Sequence, residues 1–231
     1  MFCKYPSALV LLVSVLSAGA TPAAAPLTPC AAVHIIAARA STEAPGAGII
    51  GALVQQVQSS SSQTVSTSNV DYPATLTDYA DSSAQGTAAT KALLTDQANR
   101  CPNQKIVLVG YSQGAHIIGD AVAGGGGGVG LGPTTPPVPT NIANRVVAIV
   151  QMGDPRHVNR QPYNKGTALG SGLFPRLSSQ QYSSTLQSRI QNYCDFGDTF
   201  CDSGLSTVTH LTYLSRYQNT AASFILTQIG G

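Results

Sequence analysis

The stretch "KIVLVGYSQGAHIIGD", Lys105 to Asp120, constrains the fold more than any other. Ile106 to Val109 is wholly apolar, the pattern of a strand covered on both faces in a parallel sheet. It runs into Gly110-Tyr111-Ser112-Gln113-Gly114, and a helical pattern resumes at once from Ala115 to Ala123. A strand, one sharp turn and a helix give a Gly-x-Ser-x-Gly motif its structural meaning. The turn admits only glycine two residues either side of Ser112, and the serine projects from its tip.

The rest of the chain alternates in the same way. Val33 to Ala38 reads as a strand, followed by the loop "RASTEAPGAG". Ile49 to Val57 has helical spacing. Thr64 to Val70 is β-rich, and Ser82 or Ser83 caps a helix reaching about Asn99. Arg145 to Met152 is another buried strand, Ile190 to Tyr193 a short last one, and Leu214 to Ile229 a closing helix. This order predicts an α/β protein: a three-layer sandwich of the α/β-hydrolase kind, with a central, mostly parallel sheet and no large lid domain. The Gly/Pro-rich run from Gly124 to Thr140 is read as a surface loop, because the strand after it completes the sheet begun before it.

Residues 1–20 read as a secretory signal: Lys4, the apolar run Ala8 to Leu16, and the small residues Ala18-Gly19-Ala20. Its apolar run is shorter than the ~18 residues a membrane span needs. The expected product is residues 21–231, one domain, exported and monomeric. Net charge is only +2 and charged residues make up 10 %, which gives no footprint for nucleic acid. Beyond the signal, four cysteines remain: Cys30, Cys101, Cys194 and Cys201. An even set fits an oxidising compartment. Three pairings are open; if the near neighbours Cys194 and Cys201 pair, Cys30 is left with Cys101, a long bridge worth roughly 4 kcal/mol. No Cys-x-x-Cys spacing points to a metal.

If Ser112 is a nucleophile, it needs a base and an acid, and the N–H of Gln113 at the helix start faces a developing oxyanion. Four histidines are available. His34 lies inside a strand. His116 rises away from Ser112 along its own helix. His157 follows "MGDPR". His210 sits on a loop between the last strand and the last helix and is favoured over His157. Every carboxylate after Ser112 is an aspartate. Asp120 reads as solvated and mid-helix, and Asp154 as a turn former. Asp195, Asp198 and Asp202 share "CDFGDTFCD", where Asp198, after Gly197 and near the apex, is the favoured acid. Arg156, Arg160, Lys165 and Arg176 read as a solvated basic surface.

"CPNQKIVLVGYSQGAHIIGDA", "MGDP" and "YCDFGDTFCDSGLSTVTHLTY" resemble the cutinase and acetylxylan esterase family of small secreted serine esterases, and "IIAARASTEAPGAG" resembles that family's oxyanion loop. The resemblance covers nearly the whole mature chain. It departs at Ala40, where many cutinases carry glycine. It implies a triad of Ser112, Asp198 and His210, oxyanion donors at Ser41 and Gln113, and the Cys30–Cys101 and Cys194–Cys201 bridges. It implies ester hydrolysis through an acyl-enzyme with no metal or organic cofactor, and activity that falls below the ordinary imidazole pKa of ~6.5. The polymeric ester is acetylated xylan or cutin. "GDP" and Phe200, an aromatic two residues past the acid, fit the acetyl-removing members, with Phe200 narrowing the acyl pocket. Leu205 and Val208 fit the cutin-cleaving ones. With no Trp in the chain, any sugar-stacking platform falls to a tyrosine. Two other classes stay open: a binding or elicitor module that has lost turnover, and a peptidase.

Overall fold

The structure is a computed structural model that describes residues 1–2 and 29–230. The expected signal and its cleavage site lie outside the described residues beyond Phe2. The strands are β1 (Val33–Ala38), β2 (Val65–Asn69), β3 (Lys105–Tyr111), β4 (Val146–Met152), β5 (Asn164–Lys165) and β6 (Ile190–Tyr193). They form one parallel sheet in the order β2-β1-β3-β4-β6-β5. The helices are α1 (Gly51–Ser60), α2 (Tyr79–Arg100), α3 (Gln113–Ala123), α4 (Thr140–Ala143), α5 (Ser184–Gln187), α6 (Thr207–His210) and α7 (Tyr213–Ile229).

Strand side chains alternate between two buried cores, which is why β1 is apolar but for His34 and β3 is apolar from Ile106 to Val109. Ile36, Ile106, Leu108 and Ile149 pack with Leu94 of α2 and Ile117 and Ile118 of α3. Ile35, Val107, Val109 and Val150 pack on the opposite face with Leu53 of α1 and Ile225 of α7. Two helical layers and a sheet make the three-layer sandwich.

The chain runs from β1 outward to β2, then returns to place β3 on the other side of β1. Strand order reverses at the β1–β3 boundary, and the loops leaving the carboxyl ends of these strands open a crevice there. Ala38 pairs in register with Gly110, so the loop carrying Ser41 and the turn carrying Ser112 leave the sheet side by side.

Several elements differ from their sequence reading. α2 starts at Tyr79 rather than after Ser82 or Ser83. Both serines are buried inside the helix, where Ser82 Oγ accepts the Thr75 N–H at 3.0 Å. α3 starts at Gln113, immediately after the turn. β5 is two residues long, too short for any periodicity to reveal. His210 ends a short helix rather than lying on an open loop. The Gly124–Thr140 run is a loop closed on itself by paired N–H···O bonds of 2.8 and 3.0 Å between Gly125 and Thr135.

Both bridges are present, Cys30–Cys101 and Cys194–Cys201. The first joins the residues ahead of β1 to the end of α2. The second closes the loop between β6 and α6. No helix of the described residues is long and apolar enough to cross a membrane.

Candidate active site

The turn after β3 forces Ser112 into φ 54° and ψ −119°, a conformation that costs an L-residue of order 1–3 kcal/mol and persists only when its surroundings impose it. The flanking glycines are needed for space. A Cβ on Gly114 would lie 2.0 Å from the Ala38 carbonyl oxygen, and one on Gly110 would lie 2.5 Å from Gly114 itself. β1, the turn and α3 are therefore in backbone contact. The Ser112 N–H donates to the Met152 carbonyl at 2.8 Å, tying the turn to β4 as well.

Ser112 Oγ lies 2.9 Å from His210 Nε2, and His210 Nδ1 lies 2.9 Å from Asp198 Oδ2. The ionised carboxylate can only accept, so Nδ1 carries the proton and Nε2 is left to accept from the serine. Asp198 is wholly buried, and Ser112 and His210 are 8 % and 5 % exposed, enough for a small group to reach the hydroxyl. Burial alone would raise the Asp198 carboxyl. Hydrogen bonds from His210, the Cys201 N–H and the Tyr213 hydroxyl outweigh it and hold the group below its ordinary value. Asp198 Oδ1 takes the N–H groups of Phe200 and Cys201 at 2.7 and 3.0 Å, and Oδ2 takes the Tyr213 hydroxyl at 2.7 Å. The Cys194–Cys201 clip makes these donors available, because it folds the loop back on the carboxylate.

The neighbouring acids brace loops. Asp195 holds Thr167 and Tyr217, and Asp202 holds the N–H groups of Leu169, Gly170 and Gly197. His157 is buried with Nδ1 on the Cys201 carbonyl at 3.0 Å. His34 bonds Ser66 and Ser68 of β2.

On the other side of Ser112, the Gln113 N–H opens α3 and has no intrahelical acceptor. Ser41 donates its hydroxyl to Gln113 Oε1 at 3.0 Å, latching the β1 loop to the helix start. Glu43, the chain's sole glutamate, shapes that loop by accepting the N–H groups of Ala40 and Ile49 at 2.6 and 2.7 Å. Ala40 fits without strain, because the positive φ values of this loop fall on Thr42, Gly46 and Gly48 instead.

A cleft of about 530 Å³ opens over Ser112 and His210, lined in part by Ser41, Tyr79, Leu173, Phe174, Phe200 and Leu211. The Phe200 ring centroid is 4.4 Å from that of His210. Leu205 and Val208 do not line the cleft and are 99 % and 72 % exposed. Thr207 and Leu211 line it in their place. They stand four residues apart on one side of α6, which turns Val208 outward.

Four contributors were not among the expected site residues, and three of them carry no local sequence signal. Tyr111, beneath the site, donates its hydroxyl to the His210 carbonyl, and burial raises that hydroxyl to about 12. Tyr213 opens α7 and holds Asp198. Gly153 is required because a Cβ there would lie 2.7 Å from the His210 ring. Tyr79 comes from the start of α2. The "GDP" motif was the one available hint to Gly153.

The expected basic surface divides. Arg160 and Lys165 are exposed, but Arg156 and Arg176 are buried, at 0 % and 5 % exposure. They converge on Asp120, which is 1 % exposed rather than solvated. Arg176 reaches its Oδ1 at 2.6 Å and Arg156 at 3.2 Å, and His116 Nε2 reaches Oδ2 at 3.1 Å. Asp154 is buried as well, bonded to Gln151 and Asn192. These groups lie apart in sequence: Asp120 and the arginines read as surface charges and Asp154 as a turn former until the fold brings them together. Among the described residues, no cluster of three or more His, Cys, Asp or Glu side chains is arranged to hold a metal ion.

A nucleophile elbow on a parallel sheet is shared by many hydrolases, so the family rests on comparison of the whole chain. Residues 29–229 match the family model described as "Cutinase". The chain belongs to the cutinase family of esterases. It is 36 % identical over 208 residues to an acetylxylan esterase of Hypocrea jecorina, covering 87 % of this chain and 68 % of that protein. It is 34 % identical over 208 residues to cutinase 11 of Verticillium dahliae, covering 87 % and 70 %. The solved catalytic core domain of acetyl xylan esterase from Trichoderma reesei superposes with a TM-score of 0.79 at 34 % identity, over 87 % of this chain and 100 % of that one. As a cutinase-family member the chain combines this sheet with two disulfides, which fits an extracellular setting.

Proposed function

We propose that this family member is an exported serine carboxylesterase that removes acetyl groups from xylan through an acyl-enzyme. The observation that carries the reading is the contiguous Ser112–His210–Asp198 chain, 2.9 Å at each link, beneath an open cleft. His210 Nε2 accepts the Ser112 proton as Oγ attacks the ester carbonyl. Asp198 keeps the imidazole in the required tautomer and stabilises the imidazolium. The N–H groups of Ser41 and Gln113 receive the oxyanion, each worth on the order of 3 kcal/mol. His210 then protonates the departing sugar oxygen, and water, deprotonated by the same imidazole, releases acetate. Acylation and deacylation each begin with neutral His210, so activity falls on the acid side. Phe200 against His210 crowds the approach to the nucleophile, which favours a small ester.

A second reading, cleavage of cutin or another polyester, is favoured by Ile49, Leu76, Leu173 and Leu211, which line the cleft and are 42 %, 53 %, 45 % and 66 % exposed. An apolar rim of this kind suits an apolar polymer.

The deciding experiment measures kcat/KM on aryl acetate, butyrate and octanoate alongside acetate release from acetylated xylan. A steep fall beyond acetate together with acetate release supports the first reading; a preference for butyrate or longer transfers the assignment to polyester. Absence of an organophosphonate adduct at Ser112 would leave a binding module.

A further inference from the structure

Tyr79 belongs to two systems at once. Its ring lines the cleft with Ser112 and His210 and packs nearly parallel to Phe174, with centroids 5.3 Å apart and planes at 22°. Its hydroxyl points away, to His116 Nδ1 at 2.9 Å. Burial pushes that hydroxyl well above its ordinary range, so it stays protonated and donates. His116 then holds its own proton on Nε2, 3.1 Å from Asp120 Oδ2. Asp120 is gripped by Arg176 and Arg156. Tyr79, His116, Asp120 and Arg176 form one hydrogen-bonded chain from the cleft wall into the core, with the Arg156 guanidinium ion-paired to Asp120 beside it.

Such a cluster is a poor source of stability, because desolvating several charges offsets most of their attraction. Its visible product is position. A ring wedged against Phe174 and pinned at its far end cannot change rotamer.

The leaving oxygen must lie against His210, where Phe200 packs. The oxyanion lies against Ser41 and Gln113, whose side-chain amide approaches the carbonyl of Tyr79 at 3.5 Å. Tyr79 and Phe174 line the same cleft as Ser112 and His210 and are an aromatic wall offered to the acyl substituent.

We infer that Tyr79 is a specificity-determining residue that limits the length of the acyl group accepted at Ser112, and that His116 and Asp120 are positioning residues that hold its ring. The inference rests on the serine-esterase reading and moves the acyl limit from Phe200 to Tyr79.

The test compares wild type, Tyr79→Ala, Tyr79→Phe, His116→Leu and the Tyr79→Phe/His116→Leu double variant. Each is counted by phosphonate titration of active sites, checked by thermal melting and assayed on aryl acetate, butyrate and octanoate. One methylene in an apolar pocket is worth about tenfold or more, so Tyr79→Ala raises the butyrate-to-acetate ratio of kcat/KM by at least about tenfold. Tyr79→Phe and His116→Leu raise it in the same direction by less. The double variant exceeds neither by much, because both changes break one link. An unchanged ratio in folded Tyr79→Ala overturns the specificity role. Equal loss on all esters in both Tyr79→Phe and His116→Leu overturns the positioning role. A crystal structure of His116→Leu reads the ring itself whether or not any ester turns over: displacement from Phe174 supports positioning, and an unmoved ring overturns it. A wild type inactive on every ester removes the serine-esterase reading and the acyl claim with it, a result distinct from an unchanged ratio in an active enzyme.

Discussion

Two histidine–aspartate pairs flank the turn at Ser112 in function: one is carried by α3 itself, His116 and Asp120, and the other, His210 and Asp198, comes from the chain after β6. His210–Asp198 spans 2.9 Å and His116–Asp120 spans 3.1 Å, and all four residues are buried. What faces each imidazole's other nitrogen separates them. For His210 it is a strained serine hydroxyl under an open cleft. For His116 it is a tyrosine hydroxyl whose proton burial makes hard to remove. The aspartates differ as well. Asp198 is held by neutral donors and keeps its charge available to the imidazole. Asp120 already satisfies two guanidiniums. On the proposed reading, a histidine–aspartate pair is a general base only where its free nitrogen meets a proton worth moving, and the same pair elsewhere is a brace.

The sharpest break of the comparison is Asp198→Asn. Loss of the carboxylate favours the wrong His210 tautomer, and activity on an aryl acetate drops by about 10⁴-fold. A loss under tenfold in purified, folded protein would show that Asp198 has no larger part than Asp120.

Asp120→Ala probes the other pair through stability. It leaves Arg156 and Arg176 buried without their shared partner, and removal of one member of such a group costs about 3–5 kcal/mol. Urea unfolding at pH 7 measures it, and a cost below 1 kcal/mol would mean the arginines find other acceptors. Asp120 also has a pH signature. Burial alone would raise its carboxyl, but His116, Arg176 and Arg156 hold it below its ordinary value. Its stabilising contribution is therefore full above the unfolded value of ~3.9 and is lost as pH falls through the lower folded value.

The smallest effect sharpens the comparison with a third histidine that has no carboxylate partner. His34 bonds only Ser66 and Ser68, and burial, then the charge of Arg100, push it down from 6.5 to about 4. Between these values the unfolded chain binds more protons than the folded one. Stability is full above pH 6.5, declines as pH falls toward about 4, and is flat for this group below that. In His34→Gln the slope of stability against pH over this window becomes shallower. It does not vanish, because burial pushes His157 down too. An unaltered slope would show that His34 is not the group responsible.

The strand β1 was legible at its exact bounds, Val33–Ala38, because a mostly apolar run between turn residues has few alternatives; β6, Ile190–Tyr193, was also read at its bounds although Gln191 and Asn192 interrupt its apolar character. The turn at Ser112 was legible because its glycines obey local sterics: a Cβ at Gly110 or Gly114 collides with backbone only a few residues or one strand away. Helix starts were less so. Ser82 and Ser83 look like caps, and their burial inside α2 depends on what packs over them.

By itself, then, the amino-acid order determined whatever acts within a few residues or along one periodic face: the alternating α/β pattern, the strained serine, and the acid and histidine candidates near the last helix. The tertiary structure alone decided which charges meet. Arg156, Arg176 and Asp120 read as surface groups and Asp154 as a turn former, and only three-dimensional convergence makes each the partner that permits the others' burial. It alone also joined Tyr79 to His116 and Tyr213 to Asp198. The physical reason is that hydrogen bonds and ion pairs between distant residues leave no periodicity in the chain, since each depends on a single position rather than a repeating face.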